Sequence, residues 1–162
     1  MMNQLATEKR AQIMALLVEG VSIRAIERLT GFSRNTVLKL ISTVGLQCMK
    51  YQDRIFNNLT CKRIEVDEIW TFCKMKEKKV PAERKGEVGL GDIYTWVAFC
   101  PDTKIVPCYL VGQRDLEHAK DFIDDLASRL KHRVQLTSDG YKPYLEAIES
   151  VFGAHIDYAH AG

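Results

Sequence analysis

A strand-forming run in the middle of the chain carries carboxylates where a metal site could form. Residues 62–72 are rich in β-branched and aromatic side chains, and apolar residues at positions 64, 66, 70 and 72 share one face, which we expect to be buried. Asp67 falls on the other face, beside Glu65 and Ile69. A carboxylate in the middle of a strand loses hydration unless a cation or hydrogen-bond donors compensate it. Asp67 is therefore either a metal ligand or a water-facing residue of an edge strand.

A second acid follows another strand. Residues 133–138 form a short strand pattern, after which come Asp139-Gly140 and a helix that can begin near Pro143. Ligands collect at the C-terminal ends of strands in α/β sheets. Asp67 and Asp139, 72 positions apart, could therefore share a divalent ion, and Mg²⁺ favours such oxygen ligands. The alternative is that Asp139 is simply the first residue of an Asp-Gly turn.

The elements that must position these acids form an α/β pattern with a mixed sheet. The first three strands are predicted as an antiparallel meander, and the later strands alternate with helices. The predicted order is strands at 62–72, 89–100 and 105–111, a helix capped by Asp115, a strand at 133–138, a helix at about 143–152 and a strand at 156–158.

The first 46 residues have the pattern of a helix-turn-helix. The first helix is predicted within 5–18, the second from the cap Ser22 through Leu29 with Leu29 facing inward, and the third from the cap Ser33 to about residue 44, with Gly45 ending it. A glycine turn at position 31 precedes the last helix. This spacing is typical of DNA-reading modules.

The start of the third helix carries residues that can read DNA. Arg34, Asn35 and Thr36 occupy its first turn, and Lys39 follows one turn later. Arg can pair with guanine and Asn with adenine in the major groove, while Lys39 is placed to contact phosphate. The alternative is an ordinary three-helix bundle with a solvated polar face.

Composition and charge support this division. Of the 162 residues 46% are hydrophobic, and the formal net charge of +2 conceals an N-terminal excess of eight basic over four acidic residues within 1–60. This bias favours a nucleic-acid partner for the N-terminal part.

Five cysteines without a Cys-x-x-Cys pair indicate neither a zinc site nor a disulfide framework. No run is long and apolar enough for a membrane span or signal peptide, so we expect a cytoplasmic protein without a membrane partner. The predicted domains are 1–46, a linker at 47–60, and 61–162.

Several longer motifs add a resemblance to a known family. They are Lys62-Arg63-Ile64-x-x-Asp67-Glu68-Ile69-Trp70, Val80-Pro81-Ala82-Glu83, Gly91-Asp92-x-x-Thr95-Trp96, Leu110-Val111-Gly112-x-Arg114-Asp115 and His132-Arg133-Val134-Gln135-Leu136-Thr137-x-Asp139-Gly140-x-Lys142-Pro143-Tyr144-Leu145. Together they resemble the transposases of the insertion-sequence-one family, which are DDE enzymes with a ribonuclease-H-like catalytic domain. The resemblance covers nearly the whole chain.

The resemblance implies a DNA-cutting and strand-transferring enzyme that works with two Mg²⁺ (or Mn²⁺) ions. Asp67 and Asp139 match the first two catalytic acids of the family, whose role is to hold the metals. The partners implied are double-stranded DNA, at the insertion-sequence ends and at the target, and further copies of the same chain in a homo-oligomer on DNA. The protein is then expected to be nucleoid-associated.

The sequence also departs from that family. The third catalytic acid of the family is a glutamate on a later helix that this sequence lacks, so the ribonuclease-H-like domain is expected to be truncated, inactive alone and uncovered on one face of its sheet. Glu65 and Glu68 do not fall on a catalytic position and are expected to be structural or supporting, while Glu146 and Glu149 lie on a helix that makes them poor substitutes. The alternative function is a non-catalytic DNA-binding protein that occupies element ends and inhibits transposition.

Overall fold

The computed structural model describes residues 5–160. The chain divides into two compact units, an N-terminal unit that ends at Ile55 and a C-terminal unit that begins at Phe56.

The N-terminal unit is a three-helix module built on local capping. It contains α1 (Thr7–Val18), α2 (Ile23–Thr30) and α3 (Arg34–Ile55). Ser22 Oγ accepts a hydrogen bond from the Ala25 backbone N–H at 3.3 Å, and Ser33 Oγ accepts one from Thr36 N–H at 3.3 Å. Both hydroxyls satisfy donors that a helix start leaves free, so the two predicted caps are confirmed. The small core consists of Ile13, Ile26, Val37 and Leu40.

The third helix is longer than predicted. It has 22 residues and continues through Gly45 to Ile55, so the first part of the predicted 47–60 linker is helical. A glycine inside a helix costs about 1 kcal/mol relative to alanine, and the helix formers Leu46, Gln47, Met49 and Lys50 follow it at once. Leu29 was also predicted wrongly, because its side chain is 67% exposed. None of the helices within residues 5–160, including α3, is long and apolar enough to cross a membrane.

The C-terminal unit contains a five-stranded mixed sheet. Its elements are β1 (Arg63–Cys73), β2 (Gly91–Phe99), β3 (Tyr109–Gly112), α4 (Leu116–Arg129), β4 (Gln135–Ser138), α5 (Lys142–Phe152) and β5 (Asp157–His160). The strand order is β3-β2-β1-β4-β5. The pairs β1–β2 and β2–β3 are antiparallel, whereas β1–β4 and β4–β5 are parallel. This is the strand order of a ribonuclease-H-like sheet, and the predicted α/β fold class is confirmed.

The main core lies between one face of this sheet and the two helices. Trp96 on β2 is fully buried, and its ring lies 5.9 Å from that of Phe122 on α4 and 5.5 Å from that of Tyr144 on α5. Ile64 and Val66 on β1 are buried in the same core. Alternation along each strand directs these side chains to one face because successive residues point to opposite faces.

The rest of the apolar face of β1 is not buried as predicted. Trp70 and Phe72 are 42% and 43% exposed, although they share a face with Ile64 and Val66. The pairing of β1 with β4 ends at Glu65, so the second half of β1 extends past the part of the sheet that the core covers.

The opposite face of the sheet carries exposed apolar side chains. Ile69, Tyr109 and Val111 are 63%, 41% and 56% exposed. The register places all three on the face turned away from Trp96, because Ile69 is opposite Thr95, and Thr95 is opposite Val111. This exposure agrees with the expectation of one uncovered sheet face.

Candidate functional site

The pairing of β1 with β4 brings the two predicted aspartates together. The last parallel pair is Glu65 with Thr137. Asp67 and Asp139 each follow this pair by two residues, Asp67 within β1 and Asp139 just after the end of β4. Neighbouring strands lie about 4.8 Å apart. β4 ends at Ser138, so Asp139 marks the C-terminal edge of the sheet, where ligands of α/β folds collect.

Three carboxylates, rather than two, meet at this edge. Oxygen atoms of Asp67, Glu68 and Asp139 all lie within 4.8 Å of one another, and we call this group the carboxylate cluster. The predicted closeness of Asp67 and Asp139 is confirmed. Glu68 was expected only to support the site, but its carboxylate is part of the cluster. The sequence signal for it was a glutamate on the apolar face of β1, between Val66 and Trp70.

Glu68 is the buried member of the cluster. Its side chain is 3% exposed, and its Oε2 accepts a hydrogen bond from Arg114 Nε at 3.1 Å. Burial raises the pKa of the Glu68 carboxyl above its ordinary value, and the Arg114 charge acts in the opposite direction. The Tyr144 hydroxyl is close enough to lower this pKa further, but no hydrogen bond of ordinary geometry reaches that hydroxyl or Glu68 Oε1, both of which are buried. The Glu68 carboxylate is therefore the buried end of the cluster, held between Arg114 and Tyr144.

Arg114 connects Glu68 to Asp139. It lies between β3 and α4, and its Nη2 donates to Asp139 Oδ2 at 3.3 Å. The guanidinium stacks 3.7 Å from the centre of the Tyr141 ring, and the Tyr141 hydroxyl donates to the Arg114 carbonyl at 2.8 Å. A cation held by two carboxylates and an aromatic face has a defined position. Sequence analysis noted Arg114 within a family motif without giving it a role.

The two aspartates are oriented by backbone donors. Asp67 Oδ1 accepts from the Glu68 N–H at 2.8 Å, and Asp139 Oδ1 accepts from the Tyr141 N–H at 3.0 Å. Asp139 is therefore a turn residue as well as a member of the cluster, so its two predicted roles are compatible. Oxygens bound to one divalent ion at 2.0–2.6 Å are at most about 5 Å apart. The donor set and its spacing fit a hard cation such as Mg²⁺ or Mn²⁺.

Other acids that could have completed the site are engaged elsewhere. Glu146 accepts from Lys120 Nζ at 2.8 Å, and Asp157 pairs with Arg133. Glu65 lies on β1 but is exposed and outside the cluster.

The residues predicted to read DNA lie at the start of α3. Asn35 and Lys39 are exposed one helical turn apart, while Thr36 is half-buried with its hydroxyl 3.0 Å from that of Ser33. Arg34 is held by α2, because its Nε lies 3.1 Å from Glu27 Oε2 and its backbone N–H donates to Glu27 Oε1 at 3.0 Å. The sequence did not predict this ion pair, which links the start of α3 to α2.

Comparisons with known proteins give only distant structural likeness. No protein-family model and no curated protein matches the chain. Three solved structures similar to it are a Mos1 transposase paired-end complex with the left transposon end, a Mos1 mariner paired-end complex with Mn, and a pre-cleavage Mos1 transpososome. Their TM-scores are 0.36, 0.38 and 0.36, at identities of 13%, 13% and 11%. They cover 99%, 96% and 99% of this chain, which spans 60%, 60% and 61% of those chains. At these TM-scores the likeness assigns no activity, and the fold assignment rests on the strand order.

Proposed function

We propose that this protein is a DNA transposase of the insertion-sequence-one type, which binds DNA through its N-terminal unit and cuts and joins phosphodiester bonds at the carboxylate cluster, with Glu68 in place of the third acid whose absence led us to expect an inactive chain. The observation that supports it best is the meeting of Asp67, Glu68 and Asp139 at the C-terminal edge of β4. Carboxylates at such an edge, in a ribonuclease-H-like sheet, are suited to holding divalent metal beside a phosphate.

The three residues of the carboxylate cluster would have different roles in binding the metal. Asp67 and Asp139, which are exposed, would hold the metal, and Glu68 would add a third anionic oxygen from the buried side. A divalent ion such as Mg²⁺ or Mn²⁺ held by these residues would supply activation of a water or 3′-hydroxyl and stabilisation of the leaving oxygen. Arg114 holds Glu68 and Asp139 in place, and about 1 Å of misplacement in such a site can cost on the order of 100-fold in rate.

DNA would be delivered by the N-terminal unit. Arg34 and Asn35 are placed to contact base edges, and Lys39 to contact a phosphate. The Glu27 carboxylate orients Arg34, which reduces the entropy lost when the guanidinium binds a guanine. Element ends and target DNA are the proposed ligands, bound by more than one copy of the chain.

The test is cleavage of labelled element-end DNA with Mg²⁺ or Mn²⁺ by the wild type and by single variants. We expect Asp67→Asn and Asp139→Asn to remove activity, and Glu68→Gln to lower it on the order of 100-fold if Glu68 is the third anionic ligand. Glu65→Gln is the matched control because Glu65 lies on the same strand outside the cluster. Cleavage that survives in both aspartate variants would contradict the proposal.

One observation favours the second candidate, a non-catalytic DNA-binding protein that occupies element ends. Arg114 already pairs with two of the three carboxylates, which offsets part of their charge without a metal. On this hypothesis the wild type binds element-end DNA, no divalent ion induces cleavage, and Asp67→Asn leaves DNA affinity unchanged. The cleavage assay run beside an anisotropy titration separates the two functions.

A further inference from the structure

Two exposed aromatic side chains stand beside the carboxylate cluster. Trp70 and Phe72 share the face of β1 that carries Glu68, and at about 3.3 Å per residue they lie roughly 7 and 13 Å further along the strand. Their ring centres are 5.8 Å apart, and the side chains are 42% and 43% exposed. We call this pair the aromatic platform.

The core does not account for the platform. Trp96 on the same sheet face and Tyr144 on α5, which packs against it, are fully buried, whereas Trp70 and Phe72 lie outside that core. Adjacent exposed aromatic rings keep a large apolar surface in water, which is unfavourable and marks a binding surface more often than isolated exposed residues do.

Lysines follow the platform along the chain, while Asp92 is the residue of β2 that pairs with Phe72. The segment that follows β1 carries four exposed lysines, at positions 74, 76, 78 and 79. Lys76 Nζ lies 4.8 Å from the centre of the Trp70 ring. The acid of this segment, Glu77, lies against β2, since a Cβ placed on Gly91 would be 2.0 Å from Glu77 Oε2. The two rings are inclined at 42° to each other, so each offers its own face to a base, and the lysine beside Trp70 can meet a phosphate.

We propose that Trp70 and Phe72 stack against unpaired bases of a DNA strand whose phosphates contact Lys76 and its neighbouring lysines. Aromatic platforms in basic grooves bind single strands in this way, because every base offers a π-face once it leaves the duplex. The inference rests on the proposed function for the presence of DNA at the carboxylate cluster. It adds that the strand is locally unpaired beside the carboxylate cluster, at residues about 7 to 13 Å along β1 from Glu68.

The test uses the intrinsic fluorescence of the full chain. The protein has two tryptophans, and Trp96 is fully buried, so Trp70 is the one that a stacked base can quench by contact. The titrants, in EDTA, are a single-stranded oligothymidine, an abasic oligonucleotide of the same length and a blunt duplex. We expect the oligothymidine alone to quench the emission.

Variants measured by anisotropy of a labelled oligothymidine complete the design. Trp70→Leu should weaken binding about 10-fold, Trp70→Phe should retain most of the affinity, and Lys76→Gln should weaken binding and flatten its salt dependence. Tyr109→Leu is the matched control, because Tyr109 is a similarly exposed aromatic residue on the opposite sheet face. Its affinity should equal that of the wild type.

Three outcomes would overturn the inference: equal binding by Trp70→Leu and the wild type, equal binding of the abasic and base-bearing strands, or equal quenching by the duplex. The result is independent of catalysis, since Asp67→Asn should bind oligothymidine like the wild type in EDTA. If the protein binds single strands through Trp70 but does not cleave DNA, only the proposed function is contradicted. If it cleaves DNA but Trp70→Leu leaves its affinity for single strands unchanged, only this inference is contradicted.

Discussion

Replacing Arg114 by glutamine should destabilise the C-terminal unit more than removing one partner of an exposed ion pair would. Arg114 is the cation that faces Glu68, whose side chain is 3% exposed and cannot regain hydration in the folded state. Glutamine retains hydrogen-bonding groups but removes the charge. The Glu68 carboxylate is then left buried, and Asp139 loses its partner as well.

The size of the stability loss follows from how deeply Glu68 and its partners are buried. Removing one partner of a buried ion pair costs about 3 to 5 kcal/mol. Arg114 is 34% exposed and Asp139 is 46% exposed, so water already screens part of the interaction. We therefore expect a loss of about 2 to 3 kcal/mol in the free energy of unfolding. For a unit of this size that lowers the Tm by about 8 to 12 °C.

Urea unfolding followed by tryptophan fluorescence measures this loss, because Trp96 is buried in the core of the C-terminal unit. The double variant Glu68→Gln with Arg114→Gln should recover at least half of it, since no charge then remains buried. The control is Arg63→Gln, because Arg63 and its partner Asp102 are 57% and 35% exposed, so its cost in the free energy of unfolding should be far smaller than that of Arg114→Gln. An equal loss in Arg114→Gln and Arg63→Gln, or no recovery in the double variant, would refute the reasoning.

Three further outcomes are expected. Asp115→Ala should cost about 1 kcal/mol, because Asp115 caps α4. The hydrogen bond from the His118 backbone N–H lowers the pKa of the Asp115 carboxyl in the folded protein. The cap therefore contributes its full stability above the ordinary pKa of about 3.9, and this contribution is lost as the pH falls through the lower pKa of the folded state. Urea unfolding at pH 7 and pH 3 should show the difference between wild type and variant shrinking in acid. In anisotropy titrations, Arg34→Ala should lower the binding free energy for the preferred DNA site by about 1 to 3 kcal/mol. Lys39→Ala should weaken binding to all sequences and reduce the slope of affinity against salt by about 1. Equal, salt-insensitive binding by the wild type and Arg34→Ala would contradict this. Gly91→Ala should lower thermal stability by about 1 to 3 kcal/mol, because φ is 91° there and the new Cβ meets Glu77; an unchanged Tm would contradict it.

The features that the sequence predicted best depend on neighbours in the chain. Ser22, Ser33 and Asp115 cap helices as expected because a cap is made by residues within one turn of each other. The helix end at Gly45 was wrong because a weak helix breaker is overridden by the good helix formers that follow it.

The features that the sequence missed depend on distant parts of the chain. Alternation placed Trp70 on the face of Val66, but it does not indicate where the helices stop covering that face. Glu68 lies next to Asp67 in the sequence, yet its membership of the carboxylate cluster depends on Arg114, which is 46 positions away. Periodicity along the chain does not specify which strands pair, so it could not show that β4 lies beside β1.

The position of β1 at the centre of the sheet implies an order of folding. β1 pairs with β2 through a local antiparallel contact, whereas its parallel pairing with β4 joins Arg63 to Gln135, 72 positions along the chain. The entropy lost in closing a longer loop is greater, so distant pairings tend to form late. The meander of β1, β2 and β3 can therefore form first, while the two aspartates come together only when β4 is added. A chain that has formed only the meander would possess Asp67 and Glu68 without Asp139, so the carboxylate cluster would be incomplete, and the proposed divalent ion should slow unfolding without accelerating the first steps of folding.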